Sequence, residues 1–355
     1  MSVPHTSRAA ILHEKGAKHV VSDRSLPAPG PGEVTIKITA TAVNPADWKN
    51  REEGRFIPVW PTILGSDAAG EVAALGPDVS DFTVGDRVFF QGKLGHRDYC
   101  TFQQYCNMPA DLLSRTPRNI SDEQAAGIPV ATIAVVVAFY DKSGRGLPAP
   151  WDEAGGQVGK GKAIVILGGA SSCGQYAIQL ARLSGFERIV TTASPKHHEF
   201  LTNLGAHVTL DRHTTTAEDI REAIDGLPLE FVFDAPSTKE TQTLGIETVR
   251  ATNTRDTCVI TLFFIGDEVR SLAESVEPAV PIRYILGVGW DPKLFYLSKS
   301  MAKHLGGEDG WIAKGLLVPN RPMVVVGGLA NLEEALDKVK RGVSGEKVVI
   351  RPWDK

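Results

Sequence analysis

The sequence has few cysteines, and none of them stand at a spacing typical of a metal site. The four cysteines are scattered and include no C-x-x-C pair. They stand at Cys100, Cys106, Cys173 and Cys258. Since neither a disulfide framework nor a structural metal cluster fits this pattern, free thiols in a reducing compartment are the simplest account.

Long apolar runs and an excess of one charge are also missing. No run reaches the roughly 20 apolar residues that span a bilayer, and residues 1–5 lack the apolar core of a signal peptide. The formal net charge is only -4, with 23% charged residues, so nothing draws the chain to nucleic acid or to an anionic membrane. We therefore expect a cytoplasmic protein with neither kind of partner.

The chain of 355 residues, 42% of them hydrophobic, is long enough for two domains and shows no internal repeat. Its most informative stretch is one strand, turn, helix and strand unit. Residues 162–167 form an apolar β-branched run, which predicts a central parallel strand. The small residues 168–174 predict a tight turn, and residues 175–183 have helical spacing.

A turn of this kind presents backbone N–H groups and the positive end of a helix dipole to a bound diphosphate. The match to the dinucleotide fingerprint is imperfect, because Ser171 stands where the middle glycine is usual. An ordinary strand-to-helix turn therefore stays an alternative at this point.

The end of the next strand suggests which dinucleotide would bind. Residues 188–193 predict a strand, but no Asp or Glu follows it to bind a ribose 2′-hydroxyl. Ser194, Lys196 and two histidines stand there instead. This set suits a 2′-phosphate, so we expect NADPH rather than NADH, with a solvated polar loop as the alternative.

Several motifs in one order resemble the medium-chain dehydrogenase/reductase superfamily. They are N-P-A-D-W-K at 44–49, G-S-D-A-A-G-E-V at 65–72, V-G-D-R-V at 84–88, the nucleotide turn and V-S-G-E-K-V-V at 343–349. The likeness is greatest to the zinc-independent quinone reductase and fungal trans-acting enoyl reductase branch. It covers about residues 8–352.

The resemblance implies an α/β fold, with a GroES-like β-barrel catalytic domain and a doubly wound Rossmann domain. We expect the catalytic domain at residues 1–125, the NADP-binding domain at 126–285 and a C-terminal return to the catalytic domain at 286–355. Strands predicted at 208–210, 229–234 and 257–263, with helices between them, agree with a doubly wound sheet.

Zinc is not expected, although many members of the superfamily use it. The zinc enzymes have a cysteine just after the strand that here ends in Val43 and Asn44, and a Gly-His-Glu where this chain has Gly65, Ser66 and Asp67. Asp67 with scattered histidines does not make a three-ligand site. A carboxylate that accepts hydrogen bonds from backbone N–H groups in a turn is the better interpretation of Asp67.

Without a Lewis acid, hydride delivery to an activated alkene needs less stabilisation than alcohol oxidation, because the negative charge spreads into an enolate. We therefore expect NADPH-dependent reduction of an α,β-unsaturated carbonyl, an enoyl thioester or a quinone. The substrate could be free or bound to a carrier protein. Alternatives are a non-catalytic NADPH-binding protein and an alcohol dehydrogenase.

Residues 44–49, with Asn-Pro at their head, predict a turn, which by resemblance lies over the nicotinamide end of the cofactor. Lys49 is the expected catalytic residue, as a hydrogen-bond donor to the ribose or the substrate carbonyl, and the alternative is an exposed turn lysine. Arg212 replaces a tyrosine of many relatives and could hold the adenine or the 2′-phosphate, or lie free on the surface. The family match and the strand-end position of 263–265 give these expected cofactor contacts: Ala46, Asp47, Trp48, Lys49, Thr132, Ala170, Ser171, Ser172, Cys173, Ser194, Pro195, Lys196, His197, Arg212, Phe263, Phe264, Ile265, Lys347 and Val348.

Two of these residues have a plain structural alternative. Cys173 is better interpreted as a small turn residue than as a nucleophile, because no His or Lys stands beside it in the motif. On apolar pattern alone, Thr132 would be a buried helix residue. The apolar run 257–265 could be an exposed edge strand that joins a homodimer, and the oligomeric state is left open.

Overall fold

The structure is a computed structural model that describes Pro4 and residues 6–355. The absence of a signal peptide was predicted from residues 1–5, of which only Pro4 is described. The chain forms two compact units, Met1–Val130 with Gly289–Lys355, and Ala131–Val288. We refer to them as the first and the second unit. The boundaries predicted at 125 and 285 lie a few residues before those of the two units.

The strands of both units, in chain order, are β1 (Thr6–Leu12), β2 (Val20–Ser25), β3 (Glu33–Ala42), β4 (Thr62–Ile63), β5 (Asp67–Leu75), β6 (Arg87–Gln91), β7 (Tyr105–Pro109), β8 (Ser114–Arg115), β9 (Ala163–Leu167), β10 (Arg188–Ala193), β11 (Val208–Asp211), β12 (Leu229–Asp234), β13 (Val259–Thr261), β14 (Ile282–Tyr284), β15 (Arg321–Val325) and β16 (Glu346–Ile350). The α-helices are α1 (Pro45–Glu53), α2 (Asp122–Ala126), α3 (Pro129–Tyr140), α4 (Ser172–Leu183), α5 (His198–Leu204), α6 (Ala217–Ala223), α7 (Lys239–Thr252), α8 (Asp267–Ser275), α9 (Phe295–Leu305) and α10 (Leu332–Arg341).

The first unit is built on two β-sheets. A seven-stranded sheet runs in the order β15-β16-β3-β5-β6-β8, with β7 also paired to β3. A smaller sheet has the order β2-β1-β4. One core is formed by inward side chains of the larger sheet, including Ile36, Val72 and Phe90. A second core joins the small sheet to α10 through residues such as Leu12 and Leu336.

The second unit contains one six-stranded sheet in the order β11-β10-β9-β12-β13-β14. All its paired strands are parallel. The chain moves outward from β9 to β11 and then returns to β12 on the other side, which is the doubly wound order. The predicted Rossmann sheet is therefore confirmed. Its strands are apolar on both faces, as β9 shows with five buried residues in succession.

Three local predictions were wrong. The 44–49 motif forms the start of a helix, α1, rather than a turn. The run 257–265 is not an edge strand, because β13 lies between β12 and β14. The sequence also predicts that Asn331 caps the helical stretch 332–340. Asn331 does not cap α10 with its side chain, since its Nδ2 donates to the carbonyl oxygen of Val326 at 2.8 Å.

One stretch of the described chain, Asp122–Tyr140, is apolar and long enough to cross a bilayer by length and composition. Most of it is buried inside the structure. Ile133, Val136 and Phe139 of α3 are completely buried. This burial is typical of the core helix of a globular protein.

Candidate functional site

Helix α1 positions the first group of predicted site residues. Pro45 occupies its first position, where proline costs no hydrogen bond, and the Asp47 carboxylate accepts the Asn44 N–H at 2.7 Å. The signal was present in the sequence, because an Asn-Pro pair followed by an acid in the first turn is typical of a helix start. The prediction of a turn gave it too little weight.

Four polar side chains lie buried together beneath the start of α1. We call Asn44, Asp47, Asp67 and Lys347 the buried quartet; their exposed fractions are 4%, 0%, 0% and 4%. Lys347 Nζ donates to Asn44 Oδ1 at 2.5 Å and lies 3.1 Å from Asp67 Oδ2. Asn44 Nδ2 donates to the same Asp67 oxygen at 2.8 Å. The quartet therefore ties β16 to the beginnings of α1 and β5.

Asp67 also holds the start of a helix. Its Oδ1 accepts the backbone N–H of Val130 at 2.7 Å, in the first turn of α3, where a negative charge is stabilised by the helix dipole. A carboxylate that bonds a backbone N–H was the interpretation of Asp67 from the sequence. The structure confirms that bond, although Asp67 begins a strand rather than lying in a turn.

Asp47 is the unusual acid of the quartet. Burial raises its pKa to about 7; the Asn44 N–H opposes the rise, the Asp67 carboxylate adds to it, and Lys347 opposes it. Its Oδ1 has no hydrogen-bond partner of normal geometry within the described part of the chain. When Asp47 is protonated it carries no charge. The negative Asp67 and the positive Lys347 then balance each other within the quartet.

Lys49 lies two residues after Asp47 in α1. Its side chain is half-buried, which lowers the pKa of the ammonium from its ordinary value, while Glu53 raises it and Arg55 lowers it. The Nζ atom lies 5.5 Å from the ring centroid of Trp48, and Lys340 Nζ lies 5.4 Å from the same centroid. Two ammonium groups thus share one aromatic ring, within the range of a cation–π contact.

The last turn of α1 is fixed by ion pairs. Arg51 lies 2.5 Å from Glu333 of α10, and His19 Nδ1 lies 2.7 Å from the other oxygen of Glu333. Burial alone would raise the pKa of Glu333, but hydrogen bonds from His19 and the nearby charges lower it to about 2. Helix α1 is therefore anchored at both ends, which holds Lys49 in place.

The other predicted contacts near these elements differ in exposure. Ala46 is exposed on α1, whereas Thr132 in α3 and Val348 in β16 are buried at 0% and 1%. The Lys347 ammonium is bonded within the quartet. Contact of these four residues with a cofactor stays a prediction.

In the second unit, the glycine turn lies at the carboxyl end of β9. Gly168 has a φ of +73°, which a side chain rarely adopts. Ser171 precedes the first turn of α4, and its hydroxyl accepts the Gly174 N–H at 3.1 Å. It also donates to the Gly168 carbonyl oxygen at 2.8 Å. The serine that departs from the fingerprint therefore closes the turn and caps the helix.

The glycines of this turn leave no room for a side chain. A Cβ on Gly169 would lie 2.2 Å from Thr191 Oγ1, and one on Gly174 would lie 2.3 Å from the Gly168 carbonyl oxygen. The helix therefore packs directly on the turn, as dinucleotide-binding folds require. Ala170, Ser171, Ser172 and Cys173 lie here, between β9 and the first turn of α4.

Gly174→Ala is expected to weaken dinucleotide binding by about 100-fold, because the turn at 168–174 must move to make room for the methyl group. A shift of about 1 Å in a group that contacts a ligand can have an effect of this size. The new methyl group meets backbone atoms, which cannot rotate away. Fluorescence titration with NADPH measures the effect. Gly156→Ala is the matched control, since the nearest atom to its Cβ is 3.8 Å away. Equal affinities of the two variants for NADPH would contradict the prediction that close packing at Gly174 is needed for dinucleotide binding.

The predicted adenosine-phosphate residues gather at the ends of β10 and β11. Ser194 follows β10, and Pro195–His197 form a short 3-10 helix. The Arg212 N–H donates to the Ala193 carbonyl oxygen at 3.0 Å, so Arg212 follows β11 directly beside the end of β10. Lys196 and Arg212 are both exposed. The structure thus brings two cations to the strand end that lacks an acid.

Residues 263–265 lie beyond the end of β13 rather than inside the strand. Phe264 is 46% exposed, and its ring centroid lies 5.4 Å from that of Phe263 and 5.0 Å from that of Tyr284. Ile265 packs against the core of the sheet. These positions are at the carboxyl end of the sheet, where ligands of such folds bind.

The residues at the usual zinc positions do not fit a zinc ion. Asn44 already accepts a hydrogen bond from Lys347, and Asp67 is bonded to Asn44, Lys347 and Val130. In Pro4 and residues 6–355, no three His, Cys, Asp or Glu side chains group as ligands. A buried ammonium beside these residues is also the wrong neighbour for a dication.

Two family models and several curated proteins match the chain. "Alcohol dehydrogenase GroES-like domain" matches residues 30–118, and "Zinc-binding dehydrogenase" matches residues 173–255. The dehydrogenase azaJ of Aspergillus niger is 30% identical over 97% of this chain and 99% of its own length. The trans-enoyl reductase tndF of Aspergillus flavipes is 31% identical over 97% of this chain and 98% of its own length.

A solved structure agrees in fold. The quinone oxidoreductase of Pseudomonas syringae pv. Tomato DC3000 covers 98% of this chain and 100% of its own, with a TM-score of 0.75 and 21% identity. The GroES-like and Rossmann parts predicted from the sequence are thereby confirmed. Reductases of this family bind nicotinamide cofactors. With relatives of about 30% identity along nearly the whole chain, this protein belongs to the medium-chain dehydrogenase/reductase superfamily, and it is an oxidoreductase.

Proposed function

We propose that the protein is an NADPH-dependent reductase that acts without zinc on the activated C=C of an α,β-unsaturated carbonyl, such as an enone or enoyl thioester, or on a quinone. The buried quartet is the observation that carries this proposal. By resemblance, Asn44 and Asp67 stand at the sequence positions of zinc ligands in the zinc enzymes of the superfamily, and in this chain they are bonded to each other and to the Lys347 ammonium. The names of the trans-enoyl reductase and quinone oxidoreductase relatives support the same reaction class.

The second unit supplies a binding place that fits a dinucleotide diphosphate. The first turn of α4 has N–H groups without acceptors inside the helix, and the Gly169 and Gly174 positions let the backbone approach closely. The nicotinamide would supply a hydride to the substrate. Residues 170–173 bind and orient the diphosphate in this proposal.

Lys49 is the proposed catalytic hydrogen-bond donor. Its ammonium would stabilise the negative charge that develops on the substrate carbonyl oxygen, which a half-buried charge does more strongly than one in bulk water. The anchors at both ends of α1 support this role, because a positioned donor needs no reorganisation during the reaction.

Preference for NADPH over NADH is expected to depend on Lys196 and Arg212. Replacing both by alanine should raise the Kd of NADPH by about 100-fold or more and leave that of NADH nearly unchanged, since two hydrogen bonds to a charged group are lost and each contributes about 1.5–3 kcal/mol. Calorimetric titration with both cofactors measures this. Lys160→Ala, an exposed lysine before β9, is the control. A wild-type protein that binds the two cofactors equally would overturn the proposed 2′-phosphate site.

The decisive test of the reaction is cofactor oxidation by purified, metal-analysed protein. Enones, quinones, enoyl thioesters and simple aldehydes are offered with NADPH, and with NADH in parallel. Turnover of an enone, enoyl thioester or quinone by zinc-free protein supports the proposal. Stoichiometric zinc together with alcohol oxidation would refute it. Binding of NADPH without any turnover would favour a non-catalytic NADPH-binding protein or a carrier-linked substrate.

A further inference from the structure

The sheet of the second unit has its switch point between β9 and β12. From β9 the chain goes to β10 and β11 on one side, and then to β12 on the other. Ligands of doubly wound sheets bind at the carboxyl ends of the strands at this point. The glycine turn follows β9 there, and Asp234 is the last residue of β12, paired with Leu167.

Asp234 is a buried acid with one unused oxygen. It is 0% exposed, and its Oδ1 accepts the Ser237 N–H at 3.1 Å. Its Oδ2 has no hydrogen-bond partner of normal geometry among the described residues. The Thr241 hydroxyl lies close to this carboxyl, but its hydrogen bond of normal geometry goes to the Thr238 carbonyl oxygen at 3.2 Å.

The segment that Asp234 holds touches the glycine turn. A Cβ on Gly168 would lie 2.4 Å from a ring carbon of Pro236, and the Ala235 N–H donates to the Leu167 carbonyl oxygen at 3.3 Å. Ser237 has a φ of +55° and is held by hydrogen bonds to Asp234 and Leu262. Asp234 is therefore next to the place where a diphosphate would bind, within the same unit.

No cation among the described residues balances this carboxyl. Burial raises its pKa to about 7, opposed only by the Ser237 N–H and the Thr241 hydroxyl. Charged groups on the neighbouring elements serve other partners or face solvent. Glu230, at the other end of β12, binds Arg145 and Lys162, whereas Lys239 of α7 pairs with Glu268 of α8. Glu240 of α7 is exposed.

We propose that Asp234 couples dinucleotide binding to a proton: its carboxyl becomes protonated when the diphosphate occupies the neighbouring turn. Two negative charges close together in a low-dielectric interior disfavour each other, so the bound anion stabilises the neutral acid. The neutral acid also brings an O–H at the oxygen that now lacks a partner. Asp234 is thus a positioning residue of the cofactor site, which rests on the dinucleotide binding proposed above.

The sign of the pH dependence follows from this coupling. The carboxyl of the free protein ionises near neutral pH, and that of the complex at higher pH. Between these two values, binding takes up a proton, so affinity is highest at low pH and falls as the pH rises. If binding raises the pKa of the Asp234 carboxyl by about one unit, proton uptake reaches about half a proton per site. The Kd of the cofactor then increases by about threefold from pH 7 to pH 8.

Isothermal titration calorimetry with NADH, in buffers of different ionisation enthalpy between pH 6.5 and 8.5, counts the protons directly. NADH is the first probe because the 2′-phosphate of NADPH has a pKa of about 6 and takes up protons itself. The Asp234-dependent uptake must appear with both cofactors. Uptake due to the 2′-phosphate appears only with NADPH.

Asp234→Asn imitates the neutral acid and keeps an acceptor for the Ser237 N–H. It is expected to abolish the uptake with NADH and to bind with the low-pH affinity of the wild type at every pH. Asp267→Asn, which removes an exposed carboxylate of α8, should keep the wild-type uptake. A thermal melt checks that both variants fold.

Two results overturn the proposal. The first is that the wild-type protein binds NADH without proton uptake between pH 6.5 and 8.5. This measurement needs no variant. The other is equal uptake by the wild type and a folded Asp234→Asn protein. If neither cofactor binds at any pH, the proposed reductase function fails as well, so the two failures can be told apart.

Discussion

Replacement of Lys347 by methionine is expected to lower the free energy of unfolding by about 3–5 kcal/mol. The substitution keeps most of the side-chain volume but leaves the Asp67 carboxylate buried with only Asn44 and the Val130 N–H as partners. The desolvation cost of that charge is then no longer offset by an ammonium 3.1 Å away. Urea unfolding measures the change in the transition of the first unit.

A double variant separates the effect of an unpaired Asp67 charge from the effect of losing the Lys347 side chain. Asp67→Asn combined with Lys347→Met removes both charges, and it should be more stable than Lys347→Met alone because no unpaired charge stays buried. Lys314→Met, an exposed lysine of the same unit, should change stability by less than about 0.5 kcal/mol. A Lys347→Met protein as stable as the wild type would show that the quartet is not a paired charge cluster.

Lys49→Met is expected to lower kcat/KM for an enone or quinone by about 100- to 1000-fold, the usual effect of removing one hydrogen-bond donor from a developing negative charge. NADPH binding should change little, because the diphosphate and adenosine residues lie in the other unit. Steady-state kinetics and a binding titration together separate the two effects. Lys49→Arg keeps a cation and should keep part of the activity.

Lys340→Met is the matched control for Lys49. Its ammonium lies on the same Trp48 ring, but it pairs with Glu52 at 2.6 Å. A similar loss of activity in both variants would indicate that the ring contact, rather than a donor, is what matters. Because burial lowers the pKa of Lys49, wild-type activity should fall at a pH below that of an ordinary lysine, and this fall should disappear in Lys49→Met.

Much of the fold followed from local patterns in the sequence. The strands predicted at 188–193 and 229–234 have those bounds in the structure, and the helix predicted at 175–183 is α4, which begins three residues earlier at Ser172. Each of these elements is specified by a continuous run of apolar residues or by a turn with strong steric preferences. The strand predicted at 257–263 is shorter, because Leu262 and the residues after it leave the sheet.

The site was less predictable because its contacts join distant parts of the chain. Lys347 and Asn44 are 303 positions apart, and nothing local to either residue indicates a buried pair. Asp234 looked like an ordinary strand end, since nothing in the pattern of residues 229–234 indicates that its carboxyl is buried with one oxygen lacking a partner. Family resemblance located Lys49 and Arg212, but their cofactor and substrate contacts stay predictions.

Two strands that are far apart in the sequence pair in the first unit, and this sets an order for its synthesis. Strand β16 pairs with β3, and Lys347 of β16 reaches Asn44 and Asp67. Residues 131–288 leave the ribosome well before β16, at about 5–20 residues per second. The second unit can therefore fold while β3 still has an open edge and Asp67 has no cation. The edge of β3 and the Asp67 carboxylate therefore stay without these partners until β16 has been synthesised.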